Sequence, residues 1–150
     1  MPAHPPADIL ALAGIAAEEA DEKLGAVVRL DAARIDDALA ALQTVGYDFL
    51  VDLFGTDTGE AIELTYHLRA FATREDLYLK ATVVYDGEAP SVWHIFPAAL
   101  YPEREAAELL GMSFPGHPNP KRLLTTDELP PMLRKEHLIR TAEEVQLPYE

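Results

Sequence analysis

The fold is decided by the stretch Ile62-Glu-Leu-Thr-Tyr-His-Leu-Arg-Ala70, near the middle of the chain. Apolar side chains stand at every second position from Ile62 to Ala70, and polar side chains stand between them. Because successive side chains of a strand point to opposite faces, this alternation predicts a strand with one buried face and one wet face. Such a two-faced strand is typical of an antiparallel sheet.

Further strands are predicted on both sides of this stretch. Tyr47–Phe54 is rich in aromatic and branched residues, and the segment Gly55–Gly59 predicts a turn that leads towards Ile62. Ala72–Asp76 turns the chain again, and Leu77–Tyr85 is expected to return as the hairpin partner. The central region therefore predicts a run of three strands.

Two helices and one strand are predicted before this region. The alanine-rich segment Pro6–Lys23 predicts a first helix, with the acidic residues at its end exposed to solvent. Gly25 is expected to break this helix, and Ala26–Leu30 predicts a short strand. Asp31 is suited to accept a backbone N–H at the start of a second helix, which Gly46 is expected to end.

Two short helices are predicted after the strands. Ser91 is suited to cap the first, which runs past Phe96 and directs Trp93 and Phe96 towards the sheet. The second begins near Pro102, whose ring suits a first helical turn, and ends at Gly111. Since this helix has only about nine residues, fewer than the ~12–15 that an isolated helix needs, contacts with the rest of the domain must hold it.

These elements predict an α+β domain of two layers, in which helices cover one face of a mixed, largely antiparallel sheet. Residues 1–113 are assigned to this core, and residues 114–150 to an extended, proline-rich C-terminal arm that is not an independent domain. The arm has few apolar residues, and its prolines disfavour helix. We therefore expect the arm to be mobile in the free chain rather than buried on its own domain. On a partner it is expected to be ordered, with Arg134 and Lys135 bound to carboxylates or carbonyls.

Composition excludes several classes of protein. The chain has 150 residues, the length of one domain, and a formal net charge of -14, which makes nucleic acids and anionic lipid surfaces poor partners. The sequence contains no cysteine, which excludes disulfides and iron–sulfur clusters held by thiolates. No signal peptide is visible, and no apolar run approaches the ~18 residues of a membrane span, so a soluble, intracellular protein is expected.

A search for catalytic motifs finds no phosphate loop, no dinucleotide fingerprint and no nucleophile motif. None of the five histidines stands at a metal-ligand spacing from another ligand. His117 lies between Gly116 and Pro118, so a constrained backbone aims its imidazole. Two interpretations stay open for His117: a hydrogen bond to a partner subunit, or a turn histidine bonded to its own arm.

A set of short motifs after the strands carries a resemblance to a known family. The motifs are Glu103-Arg104-Glu105, Leu110-Gly111-Met112, Phe114, Gly116-His117-Pro118, Arg122-Leu123-Leu124 and Leu133-Arg134-Lys135-Glu136. Their order and spacing resemble the signature of the 30 kDa subunit of respiratory complex I, which is the C subunit of the bacterial NADH–quinone oxidoreductase. A weaker match through Gly46–Asp57 extends the resemblance, which covers the chain from about Asp31 to Arg140.

Four places depart from the family pattern. The family usually has Tyr-Asp at Ala107-Glu108, Phe at Leu110, Trp at Phe96, and a second Gly-His-Pro in place of Pro130-Pro131-Met132. The Ala-Ala-Glu form resembles the equivalent subunit of energy-converting membrane-bound hydrogenases and other complex I relatives. These departures leave the electron donor of the complex open, while the type of subunit is the same.

The resemblance implies a non-catalytic structural or assembly subunit in the peripheral arm of a complex I-like oxidoreductase, on the cytoplasmic side of the inner membrane. The implied neighbours are the large hydrogenase-like (49 kDa-type) subunit and the iron–sulfur small subunit. Electrons would bypass this chain, which is expected to hold no cofactor. The implied partner-contact or arm-anchoring residues are Glu103, Arg104, Glu105, His117, Arg122, Arg134 and Lys135. The alternative from another class is a free-standing enzyme with its site in the Glu103–His117 region, against which the missing cofactor motif argues.

Overall fold

The structure is a computed structural model that describes residues 5–22 and 25–136. Within these residues one sheet contains five strands, which are β1 (Ala17–Glu22), β2 (Gly25–Leu30), β3 (Phe49–Asp57), β4 (Ile62–Ala70) and β5 (Glu75–Val83). Their order across the sheet is β1-β2-β5-β4-β3. β2 and β5 run parallel, and the other neighbouring pairs are antiparallel. The predicted mixed, largely antiparallel sheet is confirmed.

The strand β4 lies inside the sheet, between β3 and β5. Its predicted alternation is confirmed, since Leu64 and Tyr66 are fully buried on one face while Glu63 and His67 remain partly exposed on the other. The second face is less wet than predicted. Lys80 on β5 is only 8% exposed, and its ammonium lies 3.3 Å from the Glu63 carboxylate.

Helices cover the opposite face of the sheet. The described helical elements are α1 (Pro6–Leu12), α2 (Ile35–Thr44) and α3 (Leu100–Leu110), with short 3-10 turns at Ala32–Arg34 and Pro97–Ala99. A single hydrophobic cluster joins buried side chains of all three α-helices to one face of the sheet. The Asp31 side chain accepts the N–H of Ala33 at 3.0 Å, and Gly46 follows α2 with a φ of 113°. The predicted bounds of the second helix and the α+β class are confirmed.

The predicted first helix is wrong beyond Leu12. The chain turns at Gly14, whose φ is 74°, and Ala17–Glu22 then pairs antiparallel with β2 as an edge strand. Helix propensity in the alanine-rich segment is a weak preference, and the free edge of β2 offers hydrogen bonds that outweigh it. Lys23, the predicted end of this helix, lies outside the described residues.

The segment before α3 also differs from its prediction. The helix expected to run past Phe96 is reduced to a 3-10 turn, and α3 begins at Leu100 rather than near Pro102. Phe96 is buried as expected, but the placement of Trp93 towards the sheet is wrong. The Trp93 side chain is partly exposed, and its indole Nε1–H, which needs an acceptor, donates to the carbonyl oxygen of Gly116 at 3.1 Å.

The strand β3 continues through Gly55, where the sequence predicts a turn, and ends at Asp57. A side chain at Gly55 would collide with Leu110 of α3, so the glycine allows the helix to lie close against this edge strand. Gly111, with a left-handed φ of 74°, ends α3 as predicted. The chain that leaves α3 therefore starts beside β3.

The C-terminal arm forms no helix or strand between Phe114 and Glu136, in agreement with the predicted extended segment. Residues 137–150 of the assigned arm lie outside the described residues. None of the helices in the described ranges is long and apolar enough to cross a membrane.

Candidate docking surface

Glu103, the first predicted interface residue, lies in the interior of the domain and is fully buried. Its carboxylate accepts hydrogen bonds from the Ser91 hydroxyl at 2.6 Å and from the Val92 N–H at 2.7 Å. Burial raises the pKa of the Glu103 carboxyl, although both hydrogen bonds act to lower it. Glu103 therefore fastens the loop after β5 to α3, and its carboxylate does not reach the surface.

His117 lies beside Glu103, with its Nε2 atom 3.9 Å from a carboxylate oxygen. Nε2 donates to the carbonyl oxygen of Leu100 at 2.8 Å, and Nδ1 accepts the N–H of Asn119 at 2.9 Å, which requires the neutral ring with its proton on Nε2. Both ring nitrogens are thus engaged inside the chain. Of the two interpretations left open, these contacts favour the turn histidine that is bonded to its own arm.

A groove of about 410 Å³ runs past Glu103 and His117, with Met112 and Phe114 among its lining residues. The alternative of a free-standing enzyme requires a free nucleophile or base in this region. The Ser91 hydroxyl is bonded to Glu103, and the imidazole of His117 has no free nitrogen. These hydrogen bonds therefore make the Ser91, Glu103 and His117 side chains a cluster that holds neighbouring segments together.

Arg104, the next residue of α3, binds the backbone of the arm. Its Nε donates to the carbonyl oxygen of Lys121 at 2.7 Å, and its Nη2 donates to that of Arg122 at 2.9 Å. The guanidinium also lies 5.9 Å from the centre of the Tyr101 ring. Arg104, a predicted contact or anchoring residue, is an anchor of the arm in this structure.

Glu108 is a functional residue that the sequence analysis missed. Its carboxylate accepts the N–H groups of Leu123, Leu124 and Thr125 at 2.9, 2.6 and 3.3 Å, and the Thr125 hydroxyl at 3.2 Å. Burial acts to raise the pKa of Glu108, but these donors outweigh it and lower the pKa. The one sequence feature that could have indicated this role is its spacing. Glu108 follows Arg104 by one helical turn, which places both side chains on the same face of α3, where they bind the arm.

Arg134 holds the far end of the arm against the C-terminus of α3. Its Nε and Nη2 atoms donate to the carbonyl oxygens of Leu110 and Gly111 at 2.7 and 3.0 Å, and Nη2 also binds the Asp86 carboxylate at 2.8 Å. The guanidinium lies 4.6 Å from the centre of the Tyr85 ring. A cation at this helix end satisfies free carbonyls and favours the helix dipole. Within this chain Arg134 therefore braces the arm against α3, and its predicted contact with a partner stays a prediction.

Asp57, at the end of β3, is the second residue that the sequence analysis missed. Its carboxylate accepts the backbone N–H of Lys135 at 2.7 Å, the Tyr85 hydroxyl at 2.5 Å and the N–H of Gly59 at 2.8 Å. The Tyr85 hydroxyl, followed by the two N–H groups, lowers the pKa of Asp57 to about 2. No local motif indicates this role, because Asp57 and Lys135 are separated by 78 positions.

The remaining predicted residues face the arm or the solvent. Arg122 binds its own turn, donating to the Thr125 hydroxyl at 3.0 Å and to the Thr126 carbonyl at 2.8 Å. Glu105 and Lys135 are exposed. The expectation that the arm does not pack on its own domain is wrong. The arm has few apolar side chains to bury, but its backbone groups form hydrogen bonds with side chains of α3 and β3.

Phe114 at the start of the arm is buried, whereas the leucines and the methionine further along the arm are exposed. Leu124 is 65% exposed and Leu133 is 59% exposed. The exposed apolar side chains of the described arm, called here its apolar face, are those of Leu123, Leu124, Leu129, Met132 and Leu133. A segment that exposes several apolar side chains is a candidate site of contact with another protein. The exposure of these side chains was not predictable from the sequence, because the number of apolar residues in the arm does not reveal which way they point.

The carboxylates that hold the arm predict an effect of pH. A group whose pKa is lower in the docked state stabilises docking above its ordinary pKa of ~4, and this contribution is lost as the pH falls through the lowered value. We therefore expect docking at neutral pH and release between about pH 4 and pH 2. The NMR shift of the Lys135 N–H, bound by Asp57, should titrate with a midpoint near 2. A midpoint at ~4, the ordinary value, would contradict the docked geometry.

Exposed apolar side chains along an arm that is held on an α+β domain suit a subunit of a larger assembly. Residues 28–143 match the family model of the respiratory-chain NADH dehydrogenase 30 kDa subunit. The chain belongs to this family.

Individual relatives agree with this assignment. The chain is 38% identical over 114 residues to the C subunit of the NADH-quinone oxidoreductase of Moorella thermoacetica, covering 70% of this chain and 77% of that protein. It spans 40% of the length of two other curated relatives and 21% of a third. A trypsin-resistant fragment of Nqo5 is similar in structure, with a TM-score of 0.65 at 26% identity over 75% of this chain and 96% of that chain. An archaeal membrane-bound sulfane sulfur reductase complex contains the same fold, with a TM-score of 0.73 at 24% identity over 86% and 81%.

Proposed function

We propose that this chain is a non-catalytic scaffold subunit in the peripheral arm of a complex I-like NADH–quinone oxidoreductase, on the cytoplasmic side of the membrane. The observation that carries the proposal is the orientation of the arm. Its backbone groups bind inward to α3 and β3, and its leucines and methionine face outward. A surface that exposes several apolar side chains in this way is suited to contact with another protein.

The partners that fit this surface are the large hydrogenase-like subunit and the iron–sulfur small subunit of the same complex. Leu124 and Leu133 would be the central anchors of the contact, and the exposed charges of Glu105 and Lys135 would form its rim. The buried or inward residues Glu103, Arg104, His117, Arg122 and Arg134 would shape the surface from below. Electrons would pass through the partners, and this chain would hold those partners in position.

We propose further that the chain holds no cofactor and has no active site of its own. Because the sequence contains no cysteine, it cannot supply thiolate ligands to an iron–sulfur cluster. The Ser91, Glu103 and His117 side chains are occupied by one another or by backbone groups. A flavin or cluster band in the absorption spectrum of the purified chain would contradict this part of the proposal.

A second candidate is the equivalent subunit of a complex I relative, such as an energy-converting membrane-bound hydrogenase. One observation favours it: the Ala107-Glu108 pair, which resembles the form found in such relatives and stands where the first family usually has Tyr-Asp. The two candidates differ in the electron donor of the whole complex. NADH oxidation by the complex purified through a tag on this chain supports the first candidate, and its absence together with reduction by another donor supports the second.

The docking surface can be tested by placing charges on its anchors. The double variant Leu124→Lys and Leu133→Lys is expected to weaken co-purification of the large subunit at least about thirtyfold, because truncating such anchors costs about 2 kcal/mol or more. The matched control is Leu12→Lys, which alters an 82% exposed leucine on α1. Melting temperatures of both variants should stay close to that of the unaltered chain. Retained co-purification in the double variant would contradict the proposed surface.

A further inference from the structure

We infer that the arm is docked on its own domain before any partner binds, and that Arg104, Glu108, Gly111 and Arg134 are positioning residues that form its receptor. The inference concerns the free chain and does not depend on which complex the chain joins. Arg104 and Arg134, which the sequence predicted as partner-contact or arm-anchoring residues, would then hold the arm on its own domain.

The first clamp is formed by α3 and residues 121–125. Arg104 binds the carbonyl oxygens of Lys121 and Arg122, and Glu108 binds the N–H groups of the next three residues. An extended segment flanked by prolines has no helical or sheet partners for these groups, and buried backbone groups need partners. The arm presents two carbonyl groups and then three N–H groups. The guanidinium of Arg104, which only donates, binds the carbonyls, and the carboxylate of Glu108, which only accepts, binds the N–H groups.

At residues 121–124 this clamp binds backbone groups of the arm and not its side chains. The Leu123 and Leu124 side chains take no part in it and are exposed, Leu124 by 65%. Docking is therefore separated from the surface that the arm presents. The identity of those two side chains can fit a partner without loosening the arm.

The second clamp lies at residues 134–135. The Arg134 guanidinium caps α3 through the carbonyl oxygens of Leu110 and Gly111, and Asp57 binds the Lys135 N–H. The left-handed Gly111 leaves room for this guanidinium, since a Cβ there would lie 2.5 Å from Nη2 of Arg134. When one clamp is closed, the other end of the arm is held near its binding site, which raises its effective concentration there. The two clamps therefore support each other.

A docked arm lowers the cost of assembly. A disordered arm must lose its conformational freedom when a partner binds, whereas an arm held at two points has already lost it. The apolar face between the clamps, which includes Leu129 and Met132, would then meet the partner as a formed surface. This consequence rests on the proposed function, but the docking itself does not.

Limited digestion of the full-length chain with trypsin, without any partner, tests the docking. Cleavage after Arg122 requires the first clamp to open. The amide of Glu108→Gln carries only one acceptor oxygen and turns N–H groups towards the N–H groups of the arm, so this cleavage is expected to be at least tenfold faster in the variant. The matched control Glu105→Gln alters an exposed carboxylate on the same helix and should be cleaved at the unaltered rate. Equal rates in all three proteins would overturn the inference.

Amide hydrogen exchange in the unaltered chain gives a second reading that does not depend on a variant. The N–H groups of Leu123 and Leu124 should exchange at least tenfold more slowly than those of an unstructured chain, because Glu108 binds them. Exchange at the unstructured rate would overturn the inference even if Glu108→Gln failed to fold. Neither experiment contains a partner. A failure here would remove the docked arm on which the proposed contact surface is built, whereas a failed co-purification with the amide protection intact would leave the docking standing.

Discussion

The Leu64→Ala variant is expected to lose about 2–5 kcal/mol of its free energy of unfolding. Leu64 is fully buried in β4, and its neighbours across the sheet are Gly55 on β3 and Ala81 on β5. Leu64 and Leu110 of α3 both lie over the space that Gly55 leaves open. The alanine would leave a cavity in this packed layer, and the loss within the range depends on how far Leu110 moves into it.

Denaturant unfolding followed by circular dichroism measures this loss. The matched control is Leu124→Ala, the same chemical change at a position that is 65% exposed, and it should alter the free energy of unfolding by no more than about 0.5 kcal/mol. A loss below about 0.5 kcal/mol for Leu64→Ala as well would show that the core face of β4 is assigned wrongly.

The Gly111→Ala variant is expected to be destabilised in two ways at once. An alanine at a φ of 74° costs about 1–2 kcal/mol in backbone strain. Its Cβ would also lie 2.5 Å from Nη2 of Arg134 and 2.7 Å from Cγ of Pro131, so it must displace the second clamp. Hydrogen bonds from a charged group contribute about 1.5–3 kcal/mol, and the loss of those made by the Arg134 guanidinium adds to the strain.

Gly14→Ala separates these two contributions. Gly14 has the same φ of 74°, but a Cβ there would meet no atom within 4 Å, so this variant reports the backbone strain alone. We expect Gly111→Ala to lose clearly more stability than Gly14→Ala in parallel thermal melts, and to expose Arg134 to trypsin. Equal losses in the two variants would mean that the Arg134 clamp contributes nothing.

Elements that depend on local side-chain patterns could be predicted from the order of residues. The alternation in Ile62–Ala70 predicted β4 with its bounds, because the period of side chains along a strand is fixed by the backbone. Gly111 was predicted to end α3 because a left-handed residue stops a helix at little cost when it has no Cβ. The motifs around Glu103 and His117 indicated the family, since they keep their order and spacing.

Which groups the side chains of these motifs contact depends on the tertiary structure. Ala17–Glu22 forms a strand because the edge of β2 is free to pair with it, a fact that lies outside the segment itself. Glu108 and Asp57 hold the arm through backbone N–H groups, which every residue except proline carries. A contact between a carboxylate and a distant backbone N–H leaves no pattern in the sequence around that N–H. The docking of the arm therefore became visible only when the fold brought Asp57 to Lys135 and the N–H groups of residues 123–125 to Glu108.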